Sequence, residues 1–367
     1  MKKVISILSA AAVALGLTVA VAPSAFAACD GKLKIAYQGP LTGDYAAIGL
    51  NELRGVQFAV KKSGLDIEVK EVDDQGNPAV AGPIAPSVAQ DDCIIGLVGP
   101  AFSGASKVSL PIYKSAGLPI ITPSATNPDL FSMGGDIFHR AVLTDDFQGP
   151  ALARLVMSKV KNASVFLIDD ASDYSVGLAK LVNYTLGSRV VGKDTTPQGT
   201  TDFASTIAKI KKSKANAVIY TGYFAEAATL VKQLRDSGSK ATFAAGDGVL
   251  DAQFIKLARK AAEGALLTAP AVPFDAASSK LAAEFKKVMG TEPGVYTTES
   301  YDAANFFLAA IAKGNKDRAS VLNYINKNSF KGLSKTLKFD NKGEVAGVDV
   351  NGFTVKNGKI VLSGPIR

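Results

Sequence analysis

The sequence predicts an α/β protein made of two doubly wound, parallel-sheet lobes. Short β-rich runs alternate with amphipathic helical stretches along nearly the whole chain. Such alternation produces a parallel sheet with helices on both faces. There are more units than one sheet needs, and beyond an N-terminal leader about 340 residues remain, room for two domains of ~150 residues each. Apolar content of 47% with 20% charged residues suits a packed core and excludes a disordered chain.

The leader is the first element. Lys2 and Lys3 precede an apolar run over residues 4–21, and Ala25-Phe26-Ala27 follows. A positive start, an apolar centre and a small-x-small cleavage pattern mark a secretory signal peptide, assigned to residues 1–27. The run is long enough to span a bilayer, but its Ala-rich character and cleavage pattern favour removal. The protein is therefore expected to be exported, to the periplasm or the cell surface. No later stretch reaches about 18 consecutive apolar residues, the length of a membrane-spanning helix.

Strand patterns in the first half fall at residues 33–37, 67–72, 94–98 and 119–121. Leu50, Leu53, Val56 and Val60 recur at helical spacing before the second of these. The two cysteines, Cys29 and Cys93, lie just before the first and third strands. In a sheet ordered 2-1-3 those strands are neighbours, so the cysteine pair comes within bridging range, and export permits a disulfide. The alternative is a lipid-modified N-terminus at Cys29, since Phe26-Ala27-Ala28-Cys29 loosely matches a lipoprotein cleavage box.

A break is expected near residues 144–149, followed by a helix over 151–160. Strand patterns resume at 164–168, 217–221, 241–244 and 265–268. Thr201-Asp202 reads as a helix start before Ile207 and Ile210, and Leu230, Val231 and Leu234 line a helix ended by Ser237-Gly238. Pro270 and Pro273 mark a connector, and two or three helices are expected over 276–326. The tail is β-rich at 337–339, 348–350, 353–355 and 360–362, with Asn357-Gly358 as a hairpin turn.

Ligands of parallel α/β sheets bind beyond the C-terminal strand ends. Ser103 and Thr126 follow the third and fourth strands, each expected at or near a helix start. There, free N–H groups and the helix dipole favour an anion, and a hydroxyl adds a donor. The same positions also suit ordinary helix caps. Asp247, between Gly246 and Gly248 after a strand, can reach an ammonium across a cleft, or serve as a turn residue. Tyr174 and Tyr223 follow strands of the second half, where each could close over an apolar side chain or edge the core.

The formal charge is +8, with lysines scattered except for Lys209, Lys211, Lys212 and Lys214. Nucleic-acid binding needs a concentrated basic stripe, so a solvated basic surface is expected and no nucleic-acid partner. His139 is the sole histidine, which rules out a multi-histidine metal site and leaves one base for a triad. Ser103 lacks the G-x-S-x-G frame, and neither a dinucleotide fingerprint nor a P-loop is present. The pairs Asp73-Asp74 and Asp169-Asp170 are weak metal signals, so no cofactor is expected.

Several segments resemble the type I periplasmic binding proteins, specifically the branched-chain amino-acid (Leu/Ile/Val) binding proteins of ABC transporters. They include Gly39-Pro40-Leu41-Thr42-Gly43, Gly96-Leu97-Val98-Gly99-Pro100, Thr122-Pro123-Ser124-Ala125-Thr126-Asn127-Pro128, Phe138-His139-Arg140, Gln148-Gly149-Pro150, Tyr220-Thr221-Gly222-Tyr223 and Phe339-Asp340-x-x-Gly343. Their order and spacing cover about residues 32–364. The resemblance implies that Ser103 binds a ligand carboxylate, that Thr126 contacts carboxylate and ammonium, and that the Ser124 carbonyl accepts from the ammonium. It implies that Asp247 pairs with the ammonium, where many members carry Glu, and that Tyr174 and Tyr223 meet the ligand when the cleft closes. A tyrosine found near the first loop in some members is replaced at Ile48, with Tyr45 nearby.

The family further implies a three-crossing hinge near Thr144, Val272 and Gly347. The N-terminal lobe then comprises 28–144 plus 273–347, and the C-terminal lobe 145–272 plus 348–367. The expected protein is not an enzyme but a monomeric receptor that closes on a small, branched-chain or aliphatic amino acid and delivers it to an ABC-transporter membrane permease. The alternatives are a ligand-sensing receptor for a small amide or aromatic acid and, behind it, a hydrolase using Ser103 with His139 or an acidic partner.

Overall fold

The computed structural model describes Cys29, residues 31–347 and residues 349–366. The leader assigned to residues 1–27 lies outside the described residues. The first lobe opens with β1 (Lys34–Gly39), α1 (Ala46–Ser63), β2 (Glu68–Asp73), α2 (Pro78–Ala89), β3 (Ile94–Val98), α3 (Ser103–Ser115), β4 (Ile120–Thr122), α4 (Leu130–Gly134) and β5 (Phe138–Arg140). Its five strands pair in the order β2-β1-β3-β4-β5, all parallel. β3, Ile-Ile-Gly-Leu-Val, is buried along its whole length, as a central parallel strand covered on both faces must be.

The second lobe follows as α5 (Asp145–Lys159), β6 (Val165–Asp169), α6 (Asp173–Leu186), β7 (Val190–Thr195), α7 (Ala204–Ser213), β8 (Ala217–Tyr220), α8 (Phe224–Asp236), β9 (Thr242–Ala245), α9 (Ala252–Ala258) and β10 (Leu266–Ala269). The chain then returns through α10 (Phe274–Ala277), α11 (Ser279–Met289), α12 (Thr297–Ala312) and α13 (Arg318–Lys327). Phe58 of α1 meets Phe274 and Phe285 in an apolar cluster, and Leu53 and Val56 share the first lobe's core with Phe306 and Phe307 of α12. A short pair, β11 (Phe330–Lys331) and β12 (Thr336–Leu337), precedes the last hairpin, β13 (Asn351–Lys356) and β14 (Lys359–Pro365). The hairpin joins the second sheet, ordered β14-β13-β10-β9-β8-β6-β7, antiparallel at β13 and β14 and parallel elsewhere. The chain thus passes between lobes three times, over residues 141–144, 270–273 and 346–350.

Several local expectations are corrected. β7 has no counterpart in the sequence reading, because this edge strand alternates half-buried and exposed residues and shows no apolar run. The polar segment expected to break the chain at 144–149 is instead the first turn of α5, where Asp145 and Asp146 complement the positive end of the helix dipole. Four helices, not two or three, fill the return, the first starting at Phe274. The strand expected at 348–350 is displaced. Val348 lies outside the described residues, Asp349 and Val350 belong to no strand although the Val350 carbonyl accepts from the Ile366 N–H at 2.9 Å, and the strand begins at Asn351.

Cys29 and Cys93 are joined in a disulfide, with Cα atoms 4.7 Å apart. The bond closes a loop of sequence separation 64. Replacing both cysteines by serine is expected to lower unfolding free energy by about 4 kcal/mol on a loop-entropy estimate. Urea melts of oxidised wild type and the double variant check this, and equal midpoints would remove the stabilising role.

Candidate functional site

The site forms where the strand ends of both lobes face each other. A cavity of about 20 Å³ is lined by Ile48, Ala101, Phe102, Ser103 and Ser124 from the first lobe, Tyr174, Tyr223, Asp247 and Gly248 from the second, and Tyr296. Five of the six expected contacts therefore share one crevice. Thr126 is fully buried but outside this lining.

Ser103 is the first residue of α3. The first-turn N–H groups of a helix have no intrahelical acceptor, and they bring the positive end of the dipole to the crevice. The Ser103 hydroxyl accepts from the Asn127 N–H at 3.3 Å, which ties it to the loop after β4. In the same loop Ser124 donates its hydroxyl to the Ala101 carbonyl at 2.8 Å. The loop is held from below by Arg140, which is fully buried. Its guanidinium donates to the carbonyls of Ala125 and Asn127 and pairs with Glu344 at 3.0 Å.

Thr126 does not stand at a helix start. α4 begins four residues later, at Leu130, and is only five residues long. The Thr126 carbonyl accepts from the Asp145 N–H at 2.9 Å, while its hydroxyl has no hydrogen-bond partner. Both carboxyl oxygens of Asp145 are likewise buried and unpartnered. Burial, then the charge of Asp247, pushes the Asp145 carboxyl well above the ordinary range.

Asp247 opens a short 3-10 turn after β9. One oxygen accepts from Gln148 Nε2 at 2.6 Å and from the Tyr174 hydroxyl at 2.7 Å. The other accepts from the Tyr296 hydroxyl at 2.5 Å. Burial raises its pKa, and these three hydrogen bonds oppose that rise. The flanking glycines are needed for close approach: a Cβ on Gly246 would fall 2.6 Å from the Tyr174 hydroxyl, and one on Gly248 would fall 2.8 Å from the Gly222 carbonyl.

Tyr223, just before α8, stacks on Phe102 of the other lobe with centroids 4.4 Å apart and planes 7° apart. Tyr45 donates to Glu226 across the lobes at 2.8 Å, while Ile48 lines the crevice. Further interlobe bonds join Asn51 to Asp251 at 3.1 Å and Lys107 to Asp173 at 2.6 Å. His139 takes no part: its ring nitrogens meet the Ile120 carbonyl at 3.0 Å and Asn326 at 2.7 Å within the first lobe, and burial lowers its pKa. Asp73 and Asp74 close loops by accepting from Leu41, Thr42, Gln38 and Gly76. Among the described residues no cluster of three or more potential metal-ligating side chains occurs.

Tyr296, Phe102 and Gln148 were not identified as site residues from sequence. Pro293-Gly294 before Tyr296 marks a turn, but no periodicity signals that Tyr296 reaches the crevice.

The chemistry is that of holding a zwitterion: helix-end amides and hydroxyls on one side, a buried carboxylate on the other, and aromatic walls between. A family model described as "Periplasmic binding protein" matches residues 32–359. The chain is similar to the leucine-, isoleucine-, valine-, threonine- and alanine-binding protein of Pseudomonas aeruginosa, 29% identical over 335 residues, 88% of this chain and 89% of that protein. It superposes on a leucine binding protein from Thermotoga maritima with TM-score 0.83 at 28% identity, covering 91% of this chain and 99% of that one. A branched-chain amino acid transporter substrate binding protein from Streptococcus pneumoniae, solved with isoleucine, gives TM-score 0.82 at 28% identity, with 91% and 100% covered. The chain belongs to the periplasmic binding protein family.

Proposed function

We propose that this protein captures a small aliphatic amino acid, of the branched-chain class, between its lobes outside the cytoplasmic membrane and hands it, unchanged, to the membrane permease of an ABC transporter. The observation that carries this reading is the meeting of Ser103 and the α3 N-terminus with Asp247 across one crevice. The α3 amides and Ser103 receive the carboxylate. Asp247 and the Ser124 carbonyl receive the ammonium through charge-assisted hydrogen bonds. Tyr223 and Tyr174 complete the wall from the second lobe. A ligand touching both lobes binds the closed form better and shifts the hinge equilibrium toward it.

The lobes in this reading are 28–144 plus 273–347 and 145–272 plus 348–367, hinged near Thr144, Val272 and Gly347. The protein acts as a monomer, exported with its leader removed, and the Cys29 sulfur is committed to Cys93 rather than to lipid. Mass spectrometry of the mature protein finding diacylglycerol on Cys29 would refute that last assignment.

The test is calorimetry on unfolded-and-refolded protein with leucine, isoleucine, valine, threonine and alanine, followed by recovery of the ligand. Saturable binding with intact ligand is expected. Consumption of the amino acid, or no binding to any of the five, would end the proposal.

A further inference from the structure

Asp247 is already satisfied. It accepts three hydrogen bonds from protein donors, and an ammonium must displace one of them or crowd the site. Gln148 and Tyr174 belong to α5 and α6 of the same lobe as Asp247 and move with it. Tyr296 does not. It immediately precedes α12, which packs on α1 in the first lobe. Its hydroxyl is therefore the one donor to Asp247 that crosses between lobes, and the one replaceable without dismantling the second lobe.

Two further observations concern the same residue. Tyr296 has φ 62°, in the left-handed region, which a bulky side chain rarely adopts, and such outliers gather at functional sites. Tyr296 also lines a second cavity, of about 270 Å³. That cavity straddles the second chain crossing, between Pro273 and Phe274 and the second lobe's Leu250 and Phe353. Tyr296 thus borders both the crevice of about 20 Å³ and the larger hinge cavity.

We infer that Tyr296 is a built-in competitor for the ammonium site: its hydroxyl latches Asp247 when the lobes close alone, an incoming ammonium displaces it, and the ring withdraws toward the hinge cavity. The inference rests on the amino-acid reading for its ligand and on the interlobe hydrogen bond for its latch. A ligand that must displace an internal donor binds more weakly than the site intrinsically allows, because part of the population is already closed.

The experiment uses Tyr296→Phe, which keeps the ring and removes the hydroxyl. Small-angle scattering of refolded protein without amino acid is expected to give a larger radius of gyration for the variant than for wild type; equal values overturn the latch. Calorimetry with leucine is expected to give at least fivefold tighter binding; equal or weaker binding overturns the competition. Ala252→Phe, at an exposed position lining the hinge cavity, is expected to weaken leucine binding at least fivefold, and unchanged affinity overturns the ring's withdrawal. The scattering arm needs no ligand, so a protein that binds no amino acid, which ends the transport reading, still decides the latch.

Discussion

Asp247→Asn is expected to weaken amino-acid binding by about 30- to 4,000-fold, corresponding to the ~2–5 kcal/mol lost when one partner of a buried, hydrogen-bonded charge pair is removed. Asparagine is the informative replacement. It retains an oxygen for Gln148 and Tyr174, and its amide can donate to the Tyr296 hydroxyl, which accepts as readily as it donates. Alanine at this position should also abolish strong binding, but it strands three donors at once, which confounds affinity with stability. Calorimetry measures the first, and a thermal melt of the ligand-free variant near the wild-type midpoint certifies the second. Undiminished affinity in a folded variant would remove Asp247 from the binding site and leave the crevice without a cation partner.

Glu52→Gln is expected to stabilise the protein at pH 8 relative to pH 4.5. Glu52 is fully buried. One of its oxygens accepts from the Tyr37 hydroxyl at 3.1 Å, and the other has no partner. Burial pushes its pKa up to about 8, against 4.5 for an ordinary glutamate. The acid therefore stays neutral in the fold while it ionises in the unfolded chain. Its contribution to stability is complete below pH 4.5 and is lost as pH rises toward 8, at about 1.4 kcal/mol per pH unit. The total is on the order of a few kcal/mol, moderated by water reaching the acid. Glutamine keeps the shape without the charge, so the variant's advantage over wild type should grow from pH 4.5 to pH 8 in urea melts. The same difference at both pH values would mean that the buried acid is ionised throughout.

The fold was legible because its central strands are apolar runs. Ile94–Val98 has no polar residue and can only lie between two covering layers. The neighbouring of β1 and β3 follows from the doubly wound order, which brings Cys29 to Cys93. β7 was illegible because an edge strand need bury only one face. The start of α5 was misread because acidic residues mark both turns and helix N-termini, and the choice depends on what the following residues pack against. Thr126 was expected at or near a helix start because it follows the fourth strand. The helix forms only after Asp129, and Arg140 and Asp145 organise the loop instead.

By itself, the sequence determined the two-lobe α/β plan, the 2-1-3 order of the first three strands, and most of the polar residues at strand ends that face the crevice. These depend on patterns a few residues long, periodicity and strand-end position, that local chemistry imposes. Only the tertiary structure decided which groups meet Asp247. Gln148 lies 99 residues away in sequence, within α5, and Tyr296 lies 49 away, just before α12, and no local pattern relates either to that strand end. Closing the chain three times across the hinge sets them around one carboxylate, because a buried charge is stable only where distant donors converge on it.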